Sequence, residues 1–248
     1  MKMYGLIGFP LAHSFSKKYF TEKFEKEGIT DTVFYNFPLT SIIEFPQLLK
    51  TNSTLKGLNV TIPYKEQVLK YVTILSEEVI QIGAANCIKI RDNELKTYNT
   101  DVIGFEKSFV KKLSAENSKA LILGSGGSSK AVQYVLKKLG IDFLIVSRIM
   151  DNKEGLIEYK HISKEILNDF TVIINCTPLG MLPDESSFPD IPYSLLTSKH
   201  YLFDLVYNPG KTQFLKKGEV QGATIENGYE MLILQAEESW KIWNEDQF

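Results

Sequence analysis

Hydrophobic and polar positions alternate along the first hundred residues in short blocks that have the lengths of strands and helices. The elements that these blocks predict are strands at 3–8, 32–37 and 55–63, a helix from 13 to a cap at Gly28, a helix begun by the capping box Ser41–Glu44, and a hairpin turning at Asp92-Asn93. Strands that alternate with helices are typical of α/β proteins.

The second half of the chain follows the same alternation with clearer boundaries. Strands are predicted at 119–123 and 141–148 and within the segments 171–180 and 201–208, and a long helix runs from 227 to 243. We therefore predict an α/β fold with two domains. Residues 1–101, completed by a C-terminal helix at 228–248, form the first domain, residues 102–227 form a Rossmann-like nucleotide-binding domain, and a cleft lies between them.

Composition and charge exclude several function classes. The chain has 28 basic and 30 acidic residues and a net charge of −2, so it lacks the broad basic face that nucleic-acid binding needs. It has no run of about 18 apolar residues, which a membrane span would require. The N-terminus lacks a signal-peptide pattern, and we expect a cytoplasmic protein.

The cysteines and histidines show no metal-ligand spacing. Cys87 and Cys176 lie far apart and outside any CxxC motif, and we expect both to be buried, reduced thiols. The three histidines are also scattered along the chain. The sequence therefore predicts no metal site.

A glycine-rich segment at 124–130 follows an apolar strand and opens a helix. Its sequence, GSGGSSK, is close to the GxGxxG pattern, with Ser129 in place of the third glycine. Glycines let the backbone approach a pyrophosphate, and the helix N-terminus offers N–H donors to it. An ordinary turn between a strand and a helix is the alternative, but the elements on both sides favour a dinucleotide site.

The end of the next strand indicates which dinucleotide binds. NAD-binding proteins usually carry an acidic residue there for the ribose 2′-hydroxyl. This strand ends at Ser147-Arg148, and a guanidinium can pair with a 2′-phosphate. A solvated surface arginine is the alternative interpretation. The residues favour NADP over NAD.

Polar side chains gather at the ends of apolar segments in the first hundred residues. They are Ser14, Ser16, Asn59, Thr61, Lys65, Asn86 and the run Asn99-Thr100-Asp101. Taken singly, each has a structural explanation as a cap, a turn residue or a surface lysine. Together they indicate a site for a polyhydroxylated ligand, with one lysine and one carboxylate available for proton transfer.

Eight ordered stretches make this chain resemble the shikimate dehydrogenase family along essentially its whole length. They lie at 8–16, 58–66, 83–88, 99–105, 123–132, 175–181, 204–215 and 227–236. The resemblance implies an NADPH-dependent, reversible reduction of 3-dehydroshikimate to shikimate, in chorismate and aromatic amino-acid biosynthesis. It also implies small-molecule partners for a monomer or homodimer.

The resemblance implies roles for individual residues, with a substrate-binding and catalytic first domain. Lys65 and Asp101 would form the catalytic pair. The substrate would contact Ser14, Ser16, Asn59, Thr61, Lys65, Asn86, Asp101, Tyr207 and Gln235. The cofactor would contact Gly124, Ser125, Gly126, Gly127, Ser128, Ser129, Ser147, Arg148, Thr177, Leu205 and Gly228.

The chain departs from the family pattern at the cofactor segments. The family loop usually has small residues followed by arginine, where this chain has three serines followed by Lys130. After the second strand the family often has Asn-Arg-Thr, where this chain has Ser147-Arg148-Ile149. A related enzyme that uses quinate or NAD, or a non-catalytic ligand-binding regulator on the same fold, is the alternative. The presence of both Lys65 and Asp101 favours an enzyme.

Overall fold

The computed structural model describes residues 1–12, 14–148 and 155–246, and the chain forms two compact units. One unit comprises Met1–Thr100 together with Ala236–Phe248, and the other comprises Asp101–Gln235. Ile149, which belongs to one of the departures above, lies outside the described residues. Each unit contains its own six-stranded sheet, so the predicted α/β fold class is confirmed.

The sheet of the first unit is mixed, with the strand order β2-β1-β3-β5-β6-β4. Its strands are β1 (Lys2–Gly8), β2 (Thr32–Pro38), β3 (Leu55–Val60), β4 (Ile74–Leu75), β5 (Cys87–Arg91) and β6 (Glu94–Tyr98). β1 pairs in parallel with β2 and β3, so these three strands end at the same edge. The predicted hairpin is confirmed, because β5 and β6 are antiparallel and the turn residues Asp92 and Asn93 both have positive φ.

The helices of the first unit pack against this sheet through buried apolar side chains. These helices are α1 (Phe15–Lys26), α2 (Phe45–Thr51) and α3 (Glu77–Ile82), together with the end of the last helix of the chain, α8 (Tyr229–Asn244). Phe20 of α1 stacks on Phe34 of β2 at 4.7 Å. A Cβ at Gly57 would lie 2.3 Å from Trp243 Nε1, so α8 packs directly on the backbone of β3.

The sheet of the second unit is entirely parallel. Its strands are β7 (Lys119–Leu123), β8 (Asp142–Ser147), β9 (Leu156–Glu158), β10 (Val172–Asn175), β11 (Tyr201–Asp204) and β12 (Thr224–Glu226). Its helices are α4 (Asp101–Phe109), α5 (Gly127–Lys138), α6 (Lys164–Asp169) and α7 (Gln213–Val220), joined by the first half of α8.

The strand order of this sheet, β12-β11-β10-β7-β8-β9, is that of a Rossmann fold. Every residue of β10 and β11 is buried, as expected for strands covered on both faces. The order reverses between β7 and β10. In open α/β sheets ligands bind beyond the carboxyl ends of the strands at this point, so the topology locates a nucleotide crevice after β7 and β10. No helix in the described part of the chain is long and apolar enough to cross a membrane.

Candidate active site

The segments that follow β1 and β3 lie side by side at the carboxyl edge of the first sheet. Phe9 N donates to the Ile62 carbonyl at 3.0 Å, and Thr61 N donates to the Ile7 carbonyl at 2.9 Å. The predicted residues Ser14, Ser16, Thr61 and Lys65 lie on or directly after these two segments. The parallel pairing of β1 with β3 thus brings together the segment that carries Thr61 and Lys65 and the segment that leads to Ser14 and Ser16.

Ser14 is the N-cap residue of α1, but its side chain makes no capping hydrogen bond. Its Oγ is buried and has no partner among the described residues. Ser16 lies half-buried in the first turn of the same helix. A buried hydroxyl that caps nothing is available to a ligand.

Backbone hydrogen bonds tie the Lys65 segment to the segment before β5. The Lys65 carbonyl accepts from Ala85 N at 2.8 Å, and Val60 N donates to the Asn86 carbonyl at 2.8 Å. The Lys65 side chain is half-buried. The structure therefore brings Asn59, Lys65 and Asn86 onto neighbouring segments of the first unit.

The Asn59 side chain is only 4% exposed, and its amide nitrogen is well bonded. Nδ2 donates to Ser239 Oγ at 2.9 Å and to the Asn86 carbonyl at 3.3 Å. Its carbonyl oxygen Oδ1 is buried and has no partner among the described residues. Asn59 thus presents an unused acceptor.

A second amide is held through Thr100. Thr100 N donates to Asn86 Oδ1 at 2.7 Å, and Asn86 Nδ2 donates to Thr100 Oγ1 at 3.0 Å. Thr100 Oγ1 also shares a hydrogen bond of 3.1 Å with Ser239 Oγ. The two predicted substrate amides of the first unit, Asn59 and Asn86, therefore belong to one buried network.

Buried polar atoms without a partner are concentrated in the first unit. Among the described residues these atoms are Ser14 Oγ, Asn36 Oδ1, Asn59 Oδ1 and Asn99 Oδ1. Native proteins leave few buried polar groups unpaired, because each one loses its hydration without compensation. A ligand that carries several hydroxyl groups would supply the missing donors.

Asp101 and Gln235 lie on two contacting helices of the second unit. Asp101 is the first residue of α4 and is 7% exposed. One turn later, a Cβ at Gly104 would lie 2.5 Å from the Met231 carbonyl oxygen and 3.1 Å from Gln235 Cβ, so α4 and α8 pack closely. Gln235 is largely buried, and its Nε2 donates to the Leu232 carbonyl at 2.8 Å.

The glycine loop lies at the carboxyl end of β7. Gly124 has a φ of +101°, and a Cβ there would lie 2.9 Å from Thr177 Cγ2, so the loops after β7 and β10 touch. Gly126 is the N-cap of α5, and a Cβ added to it would meet no atom within 4 Å. Open space in front of a helix N-terminus suits a phosphate group.

Ser129, which replaces the third glycine of the pattern, is accommodated in the first turn of α5. It is fully buried, and its Oγ donates to the Gly126 carbonyl at 2.7 Å. Ser147 ends β8 and is buried, whereas Arg148 follows it and is exposed. The structure thus presents an exposed arginine directly after β8.

A buried carboxylate organises the ends of β10 and β11. Asp204 is 0% exposed, and it accepts hydrogen bonds from Asn175 Nδ2 at 2.9 Å, from Val206 N at 3.0 Å and from the Thr212 hydroxyl. Asn175 Oδ1 in turn accepts from the Thr177 hydroxyl at 2.6 Å. Burial raises the pKa of Asp204 to about 6, against the opposing effect of these hydrogen bonds.

Gly228 lies against the backbone that follows β11. A Cβ there would lie 2.2 Å from the Leu205 carbonyl oxygen, and Gly228 N donates to the Val206 carbonyl at 3.2 Å. Close packing therefore gives a structural reason for this glycine. Tyr207 follows on the same segment, half-buried, and burial raises the pKa of its hydroxyl. The predicted residues Leu205, Tyr207 and Gly228 are thus brought together.

Known proteins match the chain over its whole length. A family model described as the shikimate dehydrogenase substrate binding domain matches residues 6–88. A shikimate dehydrogenase (NADP(+)) from Clostridium beijerinckii is 37% identical over 260 residues, which cover 100% of this chain and 93% of the relative. The chain belongs to the shikimate dehydrogenase family. The predicted family membership is confirmed.

Solved structures of the shikimate dehydrogenase family share the fold. Shikimate dehydrogenase 1 from Peptoclostridium difficile has a TM-score of 0.87 and 34% identity, with 100% of this chain and 93% of that chain covered. Shikimate 5-dehydrogenase from Thermus thermophilus, in complex with NADP(H) and shikimate, has a TM-score of 0.86 and 26% identity, with 98% and 94% covered.

Four polar residues that were given no role from the sequence are well bonded in the structure. Asn175, Asp204 and Thr212 lie inside stretches that carry the family resemblance, but their bonding depends on the pairing of β10 with β11. Ser239 gave no sequence signal, because it lies on a helix 180 residues from its partner Asn59. In the described ranges, no group of three or more His, Cys, Asp or Glu residues is placed to hold a metal ion.

Proposed function

We propose that this chain catalyses the reversible, NADP-dependent reduction of 3-dehydroshikimate to shikimate. The observation that carries this proposal is the set of buried, unpaired side-chain oxygens in the first unit of a chain from this family. Such a set is costly to leave unmatched, and it suits a ring compound with several hydroxyl groups. The Rossmann order of the second sheet supports the dinucleotide part of the proposal.

The substrate is held mainly by neutral polar side chains. In the first unit the hydroxyl and amide groups of Ser14, Ser16, Asn59, Thr61 and Asn86 donate to and accept from its hydroxyl groups. Tyr207 and Gln235 of the second unit contribute a phenol and an amide. A site of this composition discriminates by hydrogen-bond pattern, since a missing substrate hydroxyl leaves a buried group unpaired.

NADP fits the residues of the second unit. The open N-terminus of α5 at Gly126 suits the pyrophosphate, the exposed Arg148 suits the 2′-phosphate, and Thr177, Leu205 and Gly228 border the same sheet edge. When bound, the cofactor supplies or accepts the hydride. The protein's part is to bind and orient it.

Lys65 and Asp101 form the catalytic pair of this proposal. The Lys65 ammonium gives a proton to the oxygen of the carbonyl that is being reduced, and the amine takes it back in the reverse direction. The Asp101 carboxylate accepts a hydrogen bond from a substrate hydroxyl and thereby orients the substrate. Both side chains are shielded from bulk water, at least in part, since Lys65 is half-buried and Asp101 is 7% exposed.

The direct test is an absorbance assay at the nicotinamide band with purified protein, shikimate and NADP. The proposal predicts that NADPH forms in proportion to enzyme concentration. A Lys65→Ala preparation made in the same way serves as the control for contaminating activity and should be nearly inactive. Folded wild-type protein that forms no NADPH from shikimate would contradict the proposal.

A further inference from the structure

We infer that Ser239 is a positioning residue, which fixes the Asn59 amide so that its carbonyl oxygen accepts a hydrogen bond from a substrate hydroxyl. The inference rests on the proposed function, because it takes shikimate as the ligand. It assigns a role to a residue of α8 that lies outside the predicted site. Ser239, Asn59 and the groups that bond to them all belong to the first unit.

An asparagine side chain can present either its NH₂ group or its oxygen to a ligand, and its hydrogen-bond partners decide which. The Asn86 backbone carbonyl can only accept, and it lies 3.3 Å from Asn59 Nδ2. Ser239 Oγ provides a second acceptor for the same nitrogen at 2.9 Å. The nitrogen is therefore directed into the protein, and the buried, unpaired Oδ1 is left for a donor.

Ser239 provides the better of these two anchors. The contact from Asn59 Nδ2 to the Asn86 carbonyl is long, and that carbonyl already accepts from Val60 N at 2.8 Å. The contact to Ser239 has the usual length for an N–H···O bond. Removing the Ser239 hydroxyl would leave the Asn59 amide with the weaker, shared acceptor.

The Ser239 hydroxyl is itself held in place. It is 0% exposed, and it shares a hydrogen bond of 3.1 Å with Thr100 Oγ1. One turn further along α8, Trp243 Nε1 donates to the Ile88 carbonyl at 3.0 Å, which fixes the helix on the sheet. A rigid helix thus delivers the hydroxyl to Asn59 with a defined geometry.

The test compares steady-state kinetics of the wild type and Ser239→Ala with shikimate and NADP. We expect the KM for shikimate to rise about tenfold, as for a lost buried hydrogen bond to a ligand-binding group. The kcat and the KM for NADP should change less than about twofold, because Ser239 acts on ground-state and transition-state binding alike. An unchanged KM for shikimate, or a parallel loss of kcat, would overturn the inference.

A matched control is Ser108→Ala. Ser108 is also a fully buried helical serine, but its hydroxyl donates to the carbonyls of Gly104, at 2.8 Å, and Phe105, at 3.1 Å, within its own helix. Its loss should leave the KM for shikimate unchanged. A similar rise of KM in both variants would show that any buried serine has this effect, and would overturn the inference.

Two further variants separate positioning from folding. Ser239→Thr keeps the hydroxyl and should keep the KM for shikimate within about threefold of the wild type. Ser239→Cys replaces the hydroxyl by a thiol, which is a weaker acceptor, and should raise the KM for shikimate when assayed with a thiol reductant. This variant provides the test if Ser239→Ala does not fold. A wild-type KM for the cysteine variant would overturn the inference.

A double-mutant cycle with Asn59→Ala tests whether Ser239 acts through Asn59. In the Asn59→Ala background, Ser239→Ala should raise the KM for shikimate no further. Independent, multiplicative effects would contradict the inference. Failure of the proposed function is distinguishable, because it would appear as absence of shikimate turnover in the wild type itself.

Discussion

The two units differ in how the oxygen atoms of their buried polar side chains are hydrogen-bonded. In the first unit Asn59 is anchored through its nitrogen to Ser239, and its oxygen remains buried and unpaired. In the second unit Asp204 and Asn175 form a network whose oxygens bond to protein donors, and glycines rather than side chains leave room near the ligand crevice. The first unit offers a ligand side-chain acceptors, whereas the second offers open space and backbone N–H groups.

This difference corresponds to the two kinds of ligand that we propose. A small hydroxylated acid is recognised by its hydrogen-bond pattern, which requires groups that stay unpaired until it binds. Each such group costs about 1–3 kcal/mol of stability when it has no partner. A dinucleotide offers phosphates and a large surface, so a helix N-terminus and a closely packed backbone suffice.

The strongest loss of activity should come from removing the proposed catalytic pair. Lys65→Ala should lower kcat by about 10²- to 10⁴-fold, the usual contribution of a general acid–base group. Asp101→Asn should also lower kcat, and the double variant should lose less than the product of the two effects. Steady-state assays with shikimate and NADP measure kcat for the two single variants and for the double variant.

Lys70→Ala is the matched control for Lys65→Ala, because Lys70 is exposed on the short helical turn that follows the same loop. It should behave like the wild type. Near-normal kcat in Lys65→Ala would remove this lysine from the mechanism.

The next effect concerns the stability of the second unit. The pKa of Asp204 is raised to about 6, so the folded state binds this proton more tightly than the unfolded state does. The resulting stabilisation is complete below the unfolded pKa near 4 and is lost as the pH rises through about 6. Asp204→Asn should abolish this loss, which amounts to about 3 kcal/mol of unfolding free energy.

Denaturant unfolding at several pH values between 4 and 7 measures this difference. The wild type should lose stability relative to Asp204→Asn as the pH rises, while Asp142→Asn, which changes an exposed aspartate of the same sheet, should follow the wild type. Parallel curves for the wild type and Asp204→Asn would show that Asp204 does not titrate in this range.

A substitution at Arg148 tests how the second unit distinguishes NADP from NAD. Arg148→Ala should weaken NADP binding by about tenfold or more and leave NAD binding nearly unchanged, because a charge-assisted contact contributes roughly 1.5–3 kcal/mol. Titration of both dinucleotides measures this split. Arg91→Ala removes an exposed arginine of the first unit and should change neither affinity. Equal weakening of NADP and NAD in Arg148→Ala would contradict a role in reading the 2′-phosphate.

The smallest expected effect concerns Gln235, which α8 carries in the second unit. Gln235→Ala should raise the KM for shikimate about fivefold, as for one hydrogen bond of about 1 kcal/mol, and leave the affinity for NADP and the Tm little changed. Gln221→Ala, at the end of α7, is the control. Wild-type shikimate kinetics in a folded Gln235→Ala protein would place this residue outside the site.

The sequence predicted those parts of the fold that have strong local patterns. The glycine loop was marked by an apolar strand before it and a capped helix after it, and the hairpin by Asp92-Asn93. The helices α3 and α6 were not predicted, because six residues are too few to show a helical period, although Ser76 and Ser163 cap them.

The residues of the candidate site also differ in whether a local sequence pattern reveals them. Residues at or just after the end of a strand, such as Asn59 and Thr61, could be named from the sequence because polar side chains that end apolar runs are conspicuous. Ser239 and Asp204 could not be given roles, because their partners are brought to them by helix packing and by parallel strand pairing. Long-range contacts of this kind have no local signature.

We propose that the first unit of this chain recognises the hydroxyl groups of the substrate and that the second unit binds NADP. The most direct test measures kcat/KM for shikimate and for quinate, each with NADP and with NAD, on the same wild-type preparation. We predict the highest value for shikimate with NADP, at least about tenfold above shikimate with NAD, given the size of one charge-assisted contact. A highest value for quinate with NAD, or turnover with none of the four combinations, would contradict it.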